Sequence, residues 1–328
     1  MSESFITGVD VSEYSIKAVM IRANKGRYSV KSCIELHATT SLFSADGRFN
    51  TFEIANKLAE LKNNLPKRCT NVAHFLPEQL VFNLVVSIDP GLKNTDLQFA
   101  VQQALSLESS IPLDDLSIDF VSREKDNNTE VNNVHVYATY RQVVEDRIET
   151  FKESGFTLRL IQSENMALMQ LLSLITHYWS NQASQNEQSH SLLHIEQSRS
   201  LFCFVDSTQI HQCKTIEFGI LQLNELGMNE FIKQLKVFID PFIKGELVAK
   251  SVVQPHQVWL SSDGAGSQED EQKIVSEFKL VMSMERVIKL DRLVLSDLFI
   301  GELDTNYLNG FAKTIGVAIS GLTWKGAM

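Results

Sequence analysis

The feature that most limits what this chain can fold into is a pattern of three strands and a helix that occurs twice. The strand-like segments are 5–11, 15–21 and 27–36 in the first copy and 192–196, 201–206 and 209–218 in the second. A helical stripe of apolar residues follows each copy, first through Ile54, Leu58 and Leu61 and later from Met228 to Phe242. Such a repeat predicts two lobes of similar construction.

A different pattern lies between the two copies. Two strand-like segments, at 71–75 and 80–88, precede one helical stripe, and two more, at 116–122 and 134–139, precede a second. The first helical stripe stops at Pro112 and the second at Gly155. This order predicts a small α+β unit with strands in one layer and helices in the other. The polar segment 180–191 then predicts the boundary between the lobes.

Composition narrows the function classes. The chain has 328 residues, 44% hydrophobic content and a net charge of −10, which is typical of a globular protein with several domains. Its Lys and Arg residues are scattered, and nucleic-acid binding is not expected because it needs concentrated positive charge. No signal-peptide pattern and no apolar run of about 20 residues occurs. The four cysteines form no CxxC pair and are predicted to be reduced thiols of a cytoplasmic protein.

The turn between the first two strands, in GVDVSEYSIKAV at residues 8–19, is a candidate phosphate-binding turn. Asp10 ends the first strand, Ser12 and Ser15 supply hydroxyls, and Lys17 lies on the second strand. Backbone N–H groups of such a turn can hold phosphate, and the carboxylate can hold Mg²⁺ through water. The turn has no glycine to let a phosphate approach, so an ordinary polar turn is the alternative.

Two further loops offer weaker versions of the same chemistry. The second lobe's turn, HIEQSRSL, has His194 and Glu196 where phosphate would lie, and a carboxylate there repels an anion. The loop at 261–264 retains one glycine, Gly264. His190 and His194 are four residues apart, but they fall around a loop and a strand start, so we predict no metal site. The common hydrolase, zincin and P-loop motifs are absent from the sequence.

Several segments together resemble the PilM family, whose members are actin-like, FtsA-related proteins of type IV pilus assembly. They are GVDVSEYSIKAV at 8–19, LQFAVQQALSLESSIPLDDLSIDF at 97–120, SGFTLRLIQSENMALMQLL at 154–172 and FAKTIGVAISGL at 311–322. The most specific part is 111–120, which resembles the family's "IPFPLEEV…LDF" pattern. Residues 155–168 come second and resemble its "AGL…VDVE…AL" pattern.

The resemblance implies an α/β, actin-like (ribonuclease H-like) two-lobe fold with a small inserted α+β subdomain as in FtsA. We expect the first lobe at 1–68 and 156–183, the inserted subdomain at 69–155 and the second lobe at 184–303. A C-terminal helix within 304–328 is expected to return to the first lobe.

The resemblance also implies a partner and a location. PilM proteins are cytoplasmic, lie beneath the inner membrane, and bind the N-terminal tail of the single-pass protein PilN in a groove between the inserted unit and the first lobe. We place that groove around residues 96–112. The leading hypothesis is a scaffold of type IV or MSHA-like pilus assembly that meets the membrane only through its partners. Other pilus assembly proteins and self-association are further partners that the resemblance allows.

Some family members bind ATP, which Mg²⁺ would accompany. The matching positions here are Asp10, Ser12 and Lys17 in the first turn, Glu164 where actin-like ATPases place a water-positioning acid, and Gly264 in the adenosine loop. The chain departs from the family's glycine, aspartate, glycine and glycine-rich loop at Ser12, His194, Glu196 and residues 262–263. We therefore predict a degenerate nucleotide site without a catalytic residue.

Two alternatives stay open. An active actin-fold ATPase or kinase would use Asp10, Lys17 and Glu164, although Glu164 equally suits a helix N-terminus without any catalysis. A cytoplasmic actin-like component of type II secretion would have the same fold but would carry its own transmembrane helix.

Overall fold

A computed structural model represents the chain. It describes residues 4–24, 27–44, 48–66, 69–89, 91–122, 132–182, 190–205, 210–243, 257–263, 273–279, 287–289 and 309–326. The strands are Ser4–Val11 (β1), Ser15–Asn24 (β2), Arg27–His37 (β3), Asn71–Leu76 (β4), Phe82–Ile88 (β5), Leu116–Ser122 (β6), Asn132–Tyr140 (β7), Thr157–Ser163 (β8), His190–Ile195 (β9), Ser200–Val205 (β10), Ile210–Ile216 (β11), Gln257–Ser262 (β12) and Val287–Lys289 (β13).

The helices are Thr51–Asn64 (α1), Asn94–Glu108 (α2), Arg141–Glu153 (α3), Glu164–Gln182 (α4), Ile220–Leu226 (α5), Met228–Ile243 (α6), 273–279 (α7) and Ala312–Gly326 (α8). Single 3-10 turns occupy Glu78–Leu80, Leu113–Asp115 and Asn309–Phe311. The first of these delays the strand predicted at 80–88 until Phe82. Residues 183–189, the middle of the polar segment predicted at 180–191, lie outside the described residues. The two ends of that segment are not loop, because α4 runs to Gln182 and β9 begins at His190.

The strands form three sheets, with orders β3-β2-β1-β4-β8, β11-β10-β9-β12-β13 and β5-β7-β6. In each of the first two sheets an antiparallel three-strand meander continues into two parallel strands. The third sheet is antiparallel throughout. The predicted repeat of a three-strand meander is therefore confirmed as the core of two larger sheets, and the smaller sheet is inserted in sequence between β4 and β8 of the first.

Helices α4 and α8 connect the two larger sheets. Helix α8 packs on β1, β2 and β4, while α4 packs on α8 and on strands β9, β10 and β11. Two glycines allow this close approach: a side chain at Gly8 would collide with the Thr314 carbonyl oxygen, and one at Gly316 would collide with the backbone of Ala167. The start of α8 is thereby held beside the ends of β1 and β9, where the interlobe cleft opens.

The opposite face of the first sheet is covered by α1 and α3 through Leu58 and Phe151, and by Phe156 just before β8. Asn50 caps α1, because its side chain accepts a hydrogen bond from the Glu53 backbone N–H at 3.5 Å. The small sheet has a core of its own, in which α2 lies over the strands through Val101 and Leu105. Each sheet thus buries an apolar face against helices, as expected for an α/β protein.

The cysteine prediction was wrong for one pair. Cys203 and Cys213 lie directly opposite each other on β10 and β11 and form a disulfide, whereas Cys33 and Cys69 are free. A separation of ten residues gives no sign of this pairing in the sequence, because the register of the two strands sets it. None of the helices in the described ranges is both long and apolar enough to span a bilayer.

Candidate functional site: the interlobe cleft and the groove beside the small sheet

The two lobes present equivalent turns to the cleft between them. In the first lobe the Ser12 N–H donates to the Ser15 carbonyl at 2.9 Å, and in the second the Glu196 N–H donates to the Arg199 carbonyl at 2.8 Å. The cleft has a volume of about 670 Å³, and both turns line it. The position predicted for a nucleotide from the strand turns is therefore a real cavity.

Lys17 connects the lobes across this cavity. It lies opposite Asp10 in the β1–β2 register. Its ammonium group donates to Asp263 Oδ1 at 3.1 Å and to the Gly310 carbonyl at 3.0 Å. The side chain is buried although it lies on a strand, so it does not face the solvent.

Lys313, in the first turn of α8, is the central cation of the cleft. Its ammonium group donates to Glu196 Oε1 and lies 3.9 Å from both Asp10 Oδ2 and Glu164 Oε2. Burial acts to lower the pKa of Lys313, but the surrounding carboxylates outweigh it and raise that pKa above its usual value. Lys313 therefore remains charged although it is removed from water.

Arg199 is the second cation that joins the lobes. Its guanidinium donates to Glu196 Oε2 at 2.6 Å, to Glu164 Oε2 at 2.8 Å and to Gln79 Oε1 at 2.9 Å. Glu164 is the first residue of α4 and is completely buried. Both of its oxygens are engaged, because Oε1 accepts the Glu78 backbone N–H at 2.9 Å.

The pKa values of the carboxylates in the cleft are shifted in opposite directions. Burial acts to raise the pKa of Glu196, but Lys313 and Arg199 overcome it and lower that pKa to about 2. The pKa of Asp263 is likewise held well below its usual range, against burial, by His194 and the two lysines. For Asp10 burial prevails and the pKa is raised. The cleft is thus a network of ion pairs in which Glu196 and Asp263 are held in their ionised form.

Three of the predicted site residues, Asp10, Lys17 and Glu164, do come together in the cleft, and Ser12 lines it. Gly264 lies outside the described residues. Sequence reasoning missed Arg199 and Lys313. Lys313 did carry a signal, since it is the lone charge in the apolar stretch FAKTIGVAISGL, and a charge in such a stretch needs a buried partner.

A metal would have three candidate ligands here. One ligand atom each of His194, Glu196 and Asp263 lies within 4.8 Å of the others. The same carboxylates already contact the ammonium groups of Lys17 and Lys313, so a metal would have to compete with fixed cations. A triphosphate would meet lysines and an arginine already paired with carboxylates of the chain.

A second cavity, which we call the groove, lies between the small sheet and the first lobe. It has a volume of about 330 Å³ and is lined by β6, β7 and β8 together with Leu76, Val81, Val144 and Met166. Asp119 is the one acidic or basic side chain among its described lining residues. Two polar atoms of its walls, Thr139 Oγ1 and Gln162 Nε2, are buried without a hydrogen-bond partner among the described residues.

Known proteins show both the fold class and the family of the chain. The fold is that of the actin-like ATPases, with two lobes built on related sheets. The family model "Type IV pilus assembly protein PilM" matches residues 8–236. The chain belongs to the PilM family of type IV pilus assembly proteins. No curated protein sequence matches the chain.

Solved structures agree on the fold. A PilM–PilN type IV pilus biogenesis complex is similar with a TM-score of 0.72 at 12% identity, covering 97% of this chain and 98% of that one. The ethanolamine utilization protein EutJ of Carboxydothermus hydrogenoformans gives 0.51 at 11% identity, with 97% and 90% covered. The cytoplasmic domain of EpsL, from the type II secretion system of Vibrio cholerae, gives 0.45 at 12% identity, with 84% and 94% covered. This last score supports no conclusion.

Proposed function

We propose that the chain is a pilus assembly scaffold that binds the N-terminal tail of a PilN-like inner-membrane protein in the groove. The single observation that carries this proposal is the position of β6 and β8, which line the groove and are edge strands of their sheets as far as the chain is described. This groove replaces the peptide groove predicted around residues 96–112, because none of those residues lines it.

An edge strand leaves one row of backbone N–H and C=O groups without ladder partners. Among the described strands, β8 pairs only with β4, and β6 pairs only with β7. A short extended peptide between them can form main-chain hydrogen bonds with either edge, as in other cases of strand addition. Two such edges along one cavity favour an extended chain over a compact small molecule.

The side chains of the groove suit the same ligand. Ile118, Val121, Leu160 and Ile161 supply apolar walls, which can hold alternate side chains of an extended peptide. The buried amide of Gln162 needs an acceptor, and a peptide carbonyl would provide one. A partner anchored in the membrane would then hold the chain at the cytoplasmic side of the inner membrane, in a type IV or MSHA-like system.

A pair of matched variants tests this proposal. Val121 on β6 and Val85 on β5 are 53% and 54% exposed, and they lie on opposite edge strands of the same small sheet. Calorimetric titration with a PilN-like N-terminal peptide should give saturable binding to the unmodified chain. Val121→Lys should weaken it about tenfold or more, or roughly 1.4 kcal/mol, and Val85→Lys should leave it unchanged. Absence of binding to well-folded protein would remove the main support for a scaffold.

We further propose that the nucleotide site of the fold is degenerate in this chain. The support is that Lys17, Arg199 and Lys313 are already neutralised by Asp10, Glu164, Glu196 and Asp263 across the cleft. A nucleotide would have to break these buried pairs and face the released carboxylates.

Titration with a fluorescent ATP analogue, with and without Mg²⁺, tests this second proposal. The expected result is no saturable binding at micromolar concentration. Tight Mg²⁺-dependent binding that disappears in Asp10→Ala would contradict it and would favour an active ATPase or kinase.

A further inference from the structure

One cation of the cleft stands apart from the ion-pair network. Arg147, on α3, lines the first-lobe end of the cleft together with Phe43, Phe49 and His74. Its side chain is only 3% exposed. Nε has no hydrogen-bond partner, and no carboxylate forms an ion pair with the guanidinium anywhere in the described ranges.

The contacts that Arg147 does make compensate its charge only in part. The guanidinium lies 4.0 Å from the centre of the Phe49 ring and donates through Nη1 to the Val143 carbonyl at 3.0 Å. Asp146, its neighbour in sequence, accepts from Gln142 and acts on Arg147 only through its charge, without an ion pair. Burial lowers the pKa of Arg147 to about 10, so the group is still charged at neutral pH. A buried unpaired charge is costly, and an anionic ligand would offset that cost.

His74 supplies an acceptor on the same wall. Its Nδ1 is 2.9 Å from the Val9 carbonyl oxygen, which can only accept, so Nδ1 carries the proton and Nε2 carries the lone pair. Nε2 is buried without a partner in the described part of the chain. Burial, followed by the charge of Arg147, lowers the pKa of His74 to about 3, and the ring is therefore neutral.

We infer that the first-lobe end of the cleft is a binding site for a small organic phosphate, held by Arg147 and His74. The charged phosphate oxygens accept from the guanidinium, and the protonated oxygen of the monoanion donates to His74 Nε2. The rings of Phe43 and Phe49 face the organic part. The whole cleft, at about 670 Å³, is in the size range of small-ligand sites.

A carboxylate satisfies this wall less completely than a phosphate does. An ionised carboxylate accepts from Arg147 but has no proton for His74 Nε2, whereas a phosphate monoester retains one proton on part of its population near pH 6. The site is also separate from the strand turns, where Asp10 and Glu196 would repel the same group. The inference is independent of the peptide groove, because the cleft and the groove are lined by different residues.

The test is calorimetry of the full chain with inorganic phosphate, phenyl phosphate and acetate at pH 6 and constant ionic strength set with sodium chloride. We expect saturable binding of phosphate, tighter binding of phenyl phosphate and much weaker binding of acetate. Arg147→Met should weaken phosphate binding at least tenfold, and Arg147→Lys should weaken it less because the charge remains while the planar fork is lost. Arg159→Met, at an exposed arginine on β8, should bind phosphate as the unmodified chain does.

Several outcomes would overturn the inference. They are no saturable binding of either phosphate probe by the unmodified chain, equal affinity for acetate and phosphate, or undiminished binding by Arg147→Met. Should Arg147→Met fail to fold, Arg147→Lys and the unmodified chain still decide the question.

Discussion

The cleft and the groove share the β8–α4 junction, with Ser163 lining the groove and Glu164 lining the cleft, but they are built from opposite materials. Six acidic and four basic side chains line the cleft, where all but a few are paired with one another across the lobes. The groove has a single acidic residue, apolar walls and two sheet edges. A cavity whose charges are mostly paired with one another holds lobes together, whereas one with unpaired backbone is suited to a partner chain.

The largest effect is expected from removal of Lys313, the central cation of the cleft, which tests whether the cleft holds the lobes together. Lys313→Met leaves Glu196 without its closest partner. It also removes one of the cations beside Asp10 and Glu164, although Lys17 and Arg199 remain near them. We expect a loss of about 3–5 kcal/mol in the free energy of unfolding, as for other buried pairs that lose one partner. Urea unfolding followed by circular dichroism measures it.

The matched control for this change is Lys233→Met on the exposed face of α6. It should shift the unfolding free energy by no more than about 0.5 kcal/mol. If Lys313→Met proved as mild as the control, the network would contribute little and the lobes would be held mainly by apolar packing.

A smaller effect is expected in the groove. Gln162→Leu replaces the unpartnered amide with an apolar group of similar size, so the free chain should be as stable as before or slightly more stable. Binding of the PilN-like peptide should weaken by about three- to tenfold, corresponding to one lost hydrogen bond of about 1 kcal/mol.

Calorimetry with the peptide, with Gln142→Leu on the exposed side of α3 as the control, measures this loss. Equal affinity in Gln162→Leu and Gln142→Leu would mean that the peptide does not engage the amide. The groove would then have to bind through its apolar walls and strand edges alone.

The smallest expected effect is a pH dependence at the junction of the two cavities. Burial, reinforced by the neighbouring charge of Glu164, raises the pKa of Glu78 from 4.5 to about 7. Because the folded state holds this proton more tightly than the unfolded chain, the contribution to stability is complete below pH 4.5 and is lost as the pH rises through 7. With solvent screening we expect a change of about 1 kcal/mol or less.

Urea unfolding at pH 5 and pH 8 checks this contribution. Glu78→Gln, which keeps the shape and removes the titration, should be more stable than the unmodified chain at pH 8 and should show a smaller change between the two values. An identical pH profile for the two proteins would show that Glu78 titrates normally.

The sequence predicts the sheets better than it predicts the site. Alternating apolar residues and turn residues place each strand of the meanders within a few positions, because strand and turn formation depend on neighbours in the chain. Asp10, Lys17 and Glu164 were found because they lie at strand ends or helix starts, where the fold family has its cleft. The expected domain boundaries stay predictions.

The remaining features depend on contacts between distant parts of the chain. Lys313 meets Asp10 only because Gly8 and Gly316 let α8 lie close to β1 and α4, and no local pattern encodes that approach. The Cys203–Cys213 pair depends on strand register. The groove depends on two edges from different sheets, so its residues show no common motif in the sequence.

The most direct test of the central claim is hydrogen exchange of the full chain with and without the PilN-like N-terminal peptide. Our account predicts new protection of the amides along β6 and β8 and unchanged exchange at the 12–15 and 196–199 turns of the cleft. Protection at those turns with no change along β6 and β8 would contradict the account and would place the partner in the interlobe cleft.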